Sequence, residues 1–187
     1  HLAASKDALK RVKRNIHSWN TQLNSGVSVI ISCASCCGVM VKDYPELFEK
    51  KDPDYEKAKL VSSKTHDIAE YLAGKDLTGL RLSESNISYH EPCTLQQGQK
   101  LGGLVESILT QFGYERKPIK DSHICCGSAG TYSIFESEIS NQLKENKLKN
   151  LKVSNPEMIV NSTIGCLMHH QQGSSIHVKH WVELLDG

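Results

Sequence analysis

The sequence predicts an α/β fold made of two duplicated units, in each of which a mainly parallel sheet is flanked by helices. Short apolar runs such as VSVII and MIV alternate with longer stretches whose apolar residues recur at helical spacing. A helix, a strand and a cysteine-bearing loop follow one another at 11–37 and again at 144–166. The 187 residues suffice for one or two domains, each with a buried core.

The first unit is predicted to cover residues 1–73. Leu9, Val12 and Ile16 fall on one face of a helix that we place at 5–24. A polar turn follows this helix and leads into the first apolar run. In chain order we then expect a strand from Val27, a loop at 34–38, a helix interrupted near Pro45, and a helix over 53–72.

Residues 74–85 contain two glycines among mixed polar residues and form the predicted linker. The second unit follows at 86–187. Within it we expect a strand at 87–90, a helix over 95–112 weakened at Gly102 and Gly103, an edge strand at 114–119, a helix over 134–151, and a strand from Met158 ending in a loop that holds Cys166. Functional residues of such sheets lie at the carboxyl ends of the strands.

The charge balance and the apolar runs exclude several function classes. Lysine and arginine number 22 against 21 acidic residues, so the net charge of +1 predicts no nucleic-acid partner. The apolar runs are too short to cross a bilayer, and no signal-peptide pattern opens the chain.

Neither a dinucleotide fingerprint nor a P-loop is present, so we expect no flavin, NAD or ATP on this chain. The expected location is the cytoplasm, with at most peripheral association with the inner face of the cytoplasmic membrane.

The chain begins at His1 instead of an initiator methionine, and we expect it to be a fragment of a longer parent. Its seven cysteines are an odd number in a chain too large to need disulfide staples. Such usage favours reduced thiols that bind a metal or take part in redox chemistry.

Four of the cysteines have the spacing CX31CCX39C and form a candidate metal site. Soft thiolates select zinc or iron–sulfur centres. Zinc sites usually draw cysteines a few residues apart, whereas adjacent thiolates fit better on different irons of one cluster. The pattern favours an iron–sulfur cluster, with zinc, a vicinal disulfide and simply buried thiols as alternatives. The four residues are Cys93, Cys125, Cys126 and Cys166.

At these residues the sequence resembles the cysteine-rich CCG domain found in heterodisulfide reductases, lactate-utilisation proteins and glycolate oxidase. It is most similar to the iron–sulfur subunits of glycolate oxidase. The resemblance extends over essentially the whole chain and implies duplicated CCG-type units. The segments that carry it are ASCCGVMVKDYPELF at 34–48, YHEPCTLQQGQKLG at 89–102, CCGSAGTYSIFESE at 125–138, GCLMHH at 165–170 and HVKHWVELLDG at 177–187.

The resemblance implies an electron-transfer subunit that does not itself oxidise the substrate. In such a complex, FAD-binding glycolate oxidase subunits oxidise a 2-hydroxy acid, and the iron–sulfur subunit passes the electrons toward a quinone-type acceptor. The implied cofactor here is a cluster of the 4Fe-4S type on the four cysteines, with FAD only on the partner. The implied parent also has a ferredoxin-like amino-terminal domain with two cubane clusters and a first CCG loop, so we expect the isolated fragment to be inactive.

Two histidines near the cysteines have more than one interpretation. The heterodisulfide reductase version ends in CxxC, whereas here Cys166 is followed by Met168 and His169, so the last thiol is missing. Because histidine replaces cysteine in some iron–sulfur centres, His169 is either a ligand or a hydrogen-bonded structural residue. His90, just before Cys93, is a donor to a cluster sulfur, a proton carrier or a structural histidine.

The remaining cysteines lie in the first unit. Cys37 matches the last cysteine of the family's first repeat, and we expect it to be a remnant whose site is empty because its partners lie upstream. Cys36 stands where the family usually has glycine. Cys33 and Cys36 form a CxxC by spacing, but we interpret them as additional core thiols.

Two other functions fit the cysteine pattern. One is a structural or docking module in which zinc ties the loops together. The other is a thiol–disulfide redox subunit like heterodisulfide reductase. Metal identity and activity toward a disulfide would separate these functions from electron transfer.

Overall fold

A computed structural model of the chain describes residues 4–80, 86–115 and 117–185. The carboxyl end of the predicted linker, residues 81–85, lies outside the described residues. Within the described part of the chain, no helix combines the length and the apolar character needed to cross a membrane.

The first unit contains a two-stranded parallel sheet covered by helices. In it, β1 pairs with β2 so that Ile30 lies opposite Thr65. The predicted first helix is confirmed with its bounds. The side chains of Val12 and Ile16 are buried on one of its faces, as the apolar spacing predicted. The elements are α1 (Ser5–Asn24), β1 (Ile30–Ser32), α2 (Ser35–Lys42), a 3-10 turn (Tyr44–Leu47), α3 (Tyr55–Lys64), β2 (Thr65–Asp67) and α4 (Ile68–Ala73).

Two predictions for the first unit are wrong. The segment 34–38 is not a loop, because α2 already begins at Ser35. The helix expected over 53–72 is interrupted by β2, whose Thr65 is β-branched, buried and paired with β1. The Asp67 side chain then accepts the Ala69 N–H at 3.0 Å and starts α4 as its N-cap.

The second unit is built on a three-stranded parallel sheet with the order β3-β4-β5. His90 lies opposite Asn161, and Asn161 lies opposite His180. The predicted α/β class with parallel sheets flanked by helices is confirmed. The elements are β3 (Ile87–His90), a π-helical turn (Thr94–Gly98), α5 (Leu104–Gln111), α6 (Tyr132–Phe135), α7 (Ser137–Leu151), β4 (Met158–Asn161), α8 (Ile164–Gln172), β5 (His177–His180) and a 3-10 turn (Trp181–Leu185).

Three details of the second unit differ from prediction. The helix expected over 95–112 is divided, because Gly103 adopts φ +80° immediately before α5. Residues 114, 115 and 117–119 form no strand, and Pro118 lacks the N–H that a ladder requires. Cys166 lies in the first turn of α8 and not in a loop.

Part of the element order is shared by the two units. The succession α1, β1, α2 has the same order as α7, β4, α8, and the strand pairs β1–β2 and β4–β5 are both parallel. The 3-10 turn and α3 lie between α2 and β2, whereas α8 leads directly to β5. Cys37 is the third residue of α2, and Cys166 is the third residue of α8. The internal repeat itself stays a prediction.

The two units contact each other through α2, α4 and the π-helical turn. Ala69 packs into the core of the three-stranded sheet, which includes the fully buried Tyr89 and Trp181. Each such large side chain contributes about 1.5–3 kcal/mol on burial. The Gln99 amide donates to Ser35 O at 3.1 Å and to Asp67 Oδ2 at 2.9 Å, so one side chain joins both units.

We expect the Asp67→Ala variant to lower the free energy of unfolding by about 1–3 kcal/mol, because it removes a helix cap and one of the two acceptors of the Gln99 amide. Chemical denaturation of the variant and of the unaltered chain measures the difference. Asp76→Ala is the matched control: Asp76 also accepts a main-chain N–H two residues on, at 3.0 Å, but is exposed. Equal losses in the two variants would contradict this role of Asp67.

Candidate metal centre

The candidate site lies at the carboxyl edge of the three-stranded sheet. β3 ends at His90, and Cys93 follows at the start of the π-helical turn. β4 ends at Asn161, and Cys166 follows in α8. The loop between α5 and α6 brings Cys125 and Cys126 to the same edge, where parallel strands usually place their functional residues.

The four cysteines of the predicted site lie together as free thiols. The Cys126 thiol donates to Cys166 Sγ at 3.1 Å. Cys125 shares hydrogen bonds with both Cys126 and Cys93, and its sulfur accepts the Gly127 N–H at 3.4 Å. Cys126 and Cys166 are buried, whereas Cys93 and Cys125 are half-buried. The site therefore presents four sulfurs in a connected group.

Gly127 allows the double-cysteine loop to approach α7. A Cβ atom at this position would lie 2.4 Å from Ser140 O, and the backbone there adopts φ +91°. The Ser140 hydroxyl donates to Gly127 O at 2.8 Å and ties the loop to the helix. Only glycine satisfies both the backbone conformation and the close approach.

A buried lysine on α7 holds the start of the same loop. Lys147 is 2% exposed, and its ammonium donates to Asp121 O at 2.6 Å and to Ser122 O at 3.2 Å. Burial lowers its pKa, while the nearby Cys126 acts in the opposite direction. A cation at this place complements negative charge on the thiols. Sequence reasoning missed Lys147, although it falls at helical spacing from the buried Ser140 and Leu151.

The thiols influence each other's protonation. Hydrogen bonds from Cys126 and then Cys93 lower the pKa of Cys125. Hydrogen bonds to Cys125 and then to Cys166 raise the pKa of Cys126, and the contact with Cys125 raises the pKa of Cys93. The coupling therefore favours ionisation of Cys125 over ionisation of Cys93 and Cys126. A soft cation that binds here would displace the thiol protons, as in other thiolate sites.

His169 and His90 have different surroundings, and the contact of His169 agrees with the hydrogen-bonded alternative given for it. His169 Nε2 lies 3.3 Å from Ser140 Oγ. A ring nitrogen of His90 and the sulfurs of Cys126 and Cys166 all lie within 4.8 Å of one another. Burial lowers the pKa values of His90 and His170, to about 3 for His170. His170, which sequence reasoning also missed, packs its ring edge-on against His90 with centroids 4.8 Å apart.

The cysteines of the first unit are arranged less closely. Cys36 Sγ lies 3.1 Å from Thr163 Oγ1, and Cys36 is half-buried. Cys33 and Cys37 are exposed, so the interpretation of Cys33 as a core thiol is wrong. Among the residues that the structure describes, three metal-binding side chains lie this close together only at His90, Cys126 and Cys166.

The sequence that carries the four cysteines matches a known family. Residues 87–171 match the cysteine-rich CCG domain. The matched segment contains β3, the double-cysteine loop, β4 and most of α8. The resemblance inferred from the cysteine motifs is therefore confirmed for the part of the chain that builds the site.

The chain is similar to parts of longer proteins. The whole chain is 37% identical to the glycolate oxidase iron-sulfur subunit of Escherichia coli strain K12 and spans 46% of that protein. It is 27% identical over its full length to lactate utilization protein A of Anoxybacillus flavithermus, of which it covers 78%. The Bacillus licheniformis protein of the same name is 26% identical over 97% of the chain and is covered to 77%.

We expect Gly127→Ala to destabilise the protein more than Gly113→Ala does. Gly113 adopts φ +90°, and nothing lies within 4 Å of the position that a Cβ would take, so it reports the backbone cost alone, about 1–2 kcal/mol. At Gly127 the added methyl must also displace Ser140 O or the loop, at a further cost of about 1–3 kcal/mol. Chemical denaturation measures both, and equal costs would contradict the close approach.

Proposed function

We propose that the chain binds an iron–sulfur cluster through Cys93, Cys125, Cys126 and Cys166. The observation that supports this most directly is the connected group of four sulfurs, two of them from adjacent residues. Adjacent thiolates suit a cluster, which offers several metal atoms, better than a single ion. The name of the Escherichia coli relative, an iron-sulfur subunit, agrees with this cofactor.

The residues around the sulfurs fit an anionic cluster. Cys126 and Cys166 would hold its buried side, and Cys93 and Cys125 its outer side. The Gly127 N–H already donates to Cys125 Sγ, and the Lys147 ammonium adds positive charge nearby. Hydrogen bonds and charges of this kind set the reduction potential of a bound cluster. When bound, such a cluster accepts and releases single electrons.

The proposed role of this cluster is electron transfer in a complex that oxidises glycolate or a related 2-hydroxy acid. The names of the relatives, glycolate oxidase iron-sulfur subunit and lactate utilization protein A, support this substrate class. FAD-binding partner subunits would supply the electrons, and a quinone-type acceptor would receive them. The cluster would be of the 4Fe-4S type. The protein would act in the cytoplasm, with at most peripheral association with the inner face of the cytoplasmic membrane.

Two parts of the proposal concern the first unit. Cys37 would be the remnant of a second site, which its correspondence to Cys166 after β1 and β4 supports. The boundaries at 1–73, 74–85 and 86–187 would separate the two repeats, although α4 packs into the core of the second. This chain alone would not oxidise a 2-hydroxy acid.

The first experiment measures iron, zinc and acid-labile sulfide in the chain prepared without oxygen. We expect iron and sulfide in cluster proportion, with Cys126→Ser lowering both about tenfold or more, since even changes around metal ligands weaken binding by that factor. Cys33→Ser is the matched control, because Cys33 is exposed and outside the site. One zinc and no sulfide would instead support a structural zinc module.

The second experiment concerns electron flow in the complex with the flavoprotein partner. We expect Cys125→Ser to stop reduction of a quinone-type acceptor by the 2-hydroxy acid while the partner's flavin is still reduced at the normal rate, because only the electron path is interrupted. Stopped-flow absorbance separates the two steps. Normal acceptor reduction in this variant would refute the electron-transfer role, and disulfide reduction by the unaltered chain would favour the thiol–disulfide function.

A further inference from the structure

We propose that His90 is a nitrogen ligand of the metal centre, binding beside Cys126 and Cys166. This inference rests on the proposed cluster. One ring nitrogen of His90 lies within 4.8 Å of both sulfurs, which are themselves 3.1 Å apart. Each iron of an iron–sulfur cluster is also bound by sulfide, so these three donors would bind different irons of one cluster. The His90 nitrogen faces the same small space as the two sulfurs, which is where a ligand of that cluster must lie.

The position of His90 is fixed by the sheet. It is the last residue of β3, is 3% exposed, and lies opposite Asn161 in the parallel register. A ligand held on a strand is placed more precisely than one on a loop. The histidine therefore reaches the thiols from the rigid side of the site.

His169 is engaged elsewhere. The single Ser140 hydroxyl proton is donated to Gly127 O, so the 3.3 Å contact requires His169 Nε2–H to donate to Ser140 Oγ. Nε2 of His169 carries this donated proton and is therefore not free to bind a metal. In our proposal His90 therefore takes the role for which the sequence suggested His169.

His170 packs against the His90 ring and restricts its orientation. It is fully buried, and its ring meets the His90 ring at an interplanar angle of 71°. The Asn161 amide lies 3.4 Å from His170 Nδ1 and holds that ring in turn. Metal-binding histidines commonly have such a supporting layer, which sets the orientation of the ligand ring.

A nitrogen ligand changes the charge of the site in a defined way. A neutral imidazole brings no negative charge, whereas each thiolate brings one. Histidine ligation of iron–sulfur centres is known to accompany a raised reduction potential for this reason. The variants His90→Cys and His90→Ala therefore differ in what they remove. Cysteine replaces the nitrogen ligand by a thiolate ligand, whereas alanine provides no ligand.

The test is pulsed electron paramagnetic resonance of the oxygen-free chain after chemical reduction with dithionite, prepared with natural and with 15N-labelled histidine, together with iron and sulfide content. We expect a strong nitrogen coupling that changes with the isotope. It should be lost in His90→Ala and His90→Cys and retained in His169→Ala, the matched control. His90→Cys should keep its iron, which guards against loss of the signal through misfolding.

The outcomes separate the two proposals. Iron and sulfide in cluster proportion without a strong nitrogen coupling would overturn the ligation by His90 and leave the proposed function intact. A coupling that survives in His90→Cys but disappears in His169→Ala would also overturn it. Absence of iron and sulfide from the unaltered chain would contradict the proposed function and, with it, the ligation.

Discussion

The parallel pairing of β3 with β4 is the constraint on which the candidate site depends. It sets His90 beside Asn161 and makes both strands end at the same edge of the sheet. Cys93 and Cys166, far apart in the sequence, therefore start their turns from neighbouring points. A shift of one residue in this register would turn alternate side chains to the opposite face and move His90 away from the sulfurs.

The double-cysteine loop has no strand of its own and takes its position from α7. The Ser140 hydroxyl and the Lys147 ammonium together bind three main-chain carbonyl groups of the loop. Burying a lysine destabilises the folded state unless its charge is compensated. Each hydrogen bond to a charged group stabilises the folded state by about 1.5–3 kcal/mol. The helix and the loop therefore stabilise each other, and the sulfurs gain a cation at a fixed place.

The sequence was sufficient for those parts of the fold that have a long or repeated signal. α1 follows from its regular apolar spacing, β4 from its apolar run, and the CCG match from the spacing of Cys93, Cys125 and the cysteines after them. β2 could not be predicted, because the segment THD is polar and too short to show a periodic pattern. The meeting of His90 with two sulfurs depends on side-chain directions set by tertiary packing, which spacing alone does not contain.

The neighbouring cysteines of the loop face different surroundings. Cys126 is 1% exposed and shares the interior with Cys166, whereas Cys125 and Cys93 are only half-buried. The side of the site formed by Cys126 and Cys166 is therefore buried, and the side formed by Cys93 and Cys125 is accessible. A single peptide bond links Cys125 on the accessible side to Cys126 on the buried side. Anything that enters or leaves, whether an ion, an oxidant or a docking protein, meets Cys93 and Cys125 first. The order of the adjacent residues Cys125 and Cys126 therefore determines which side of the site is accessible from solvent.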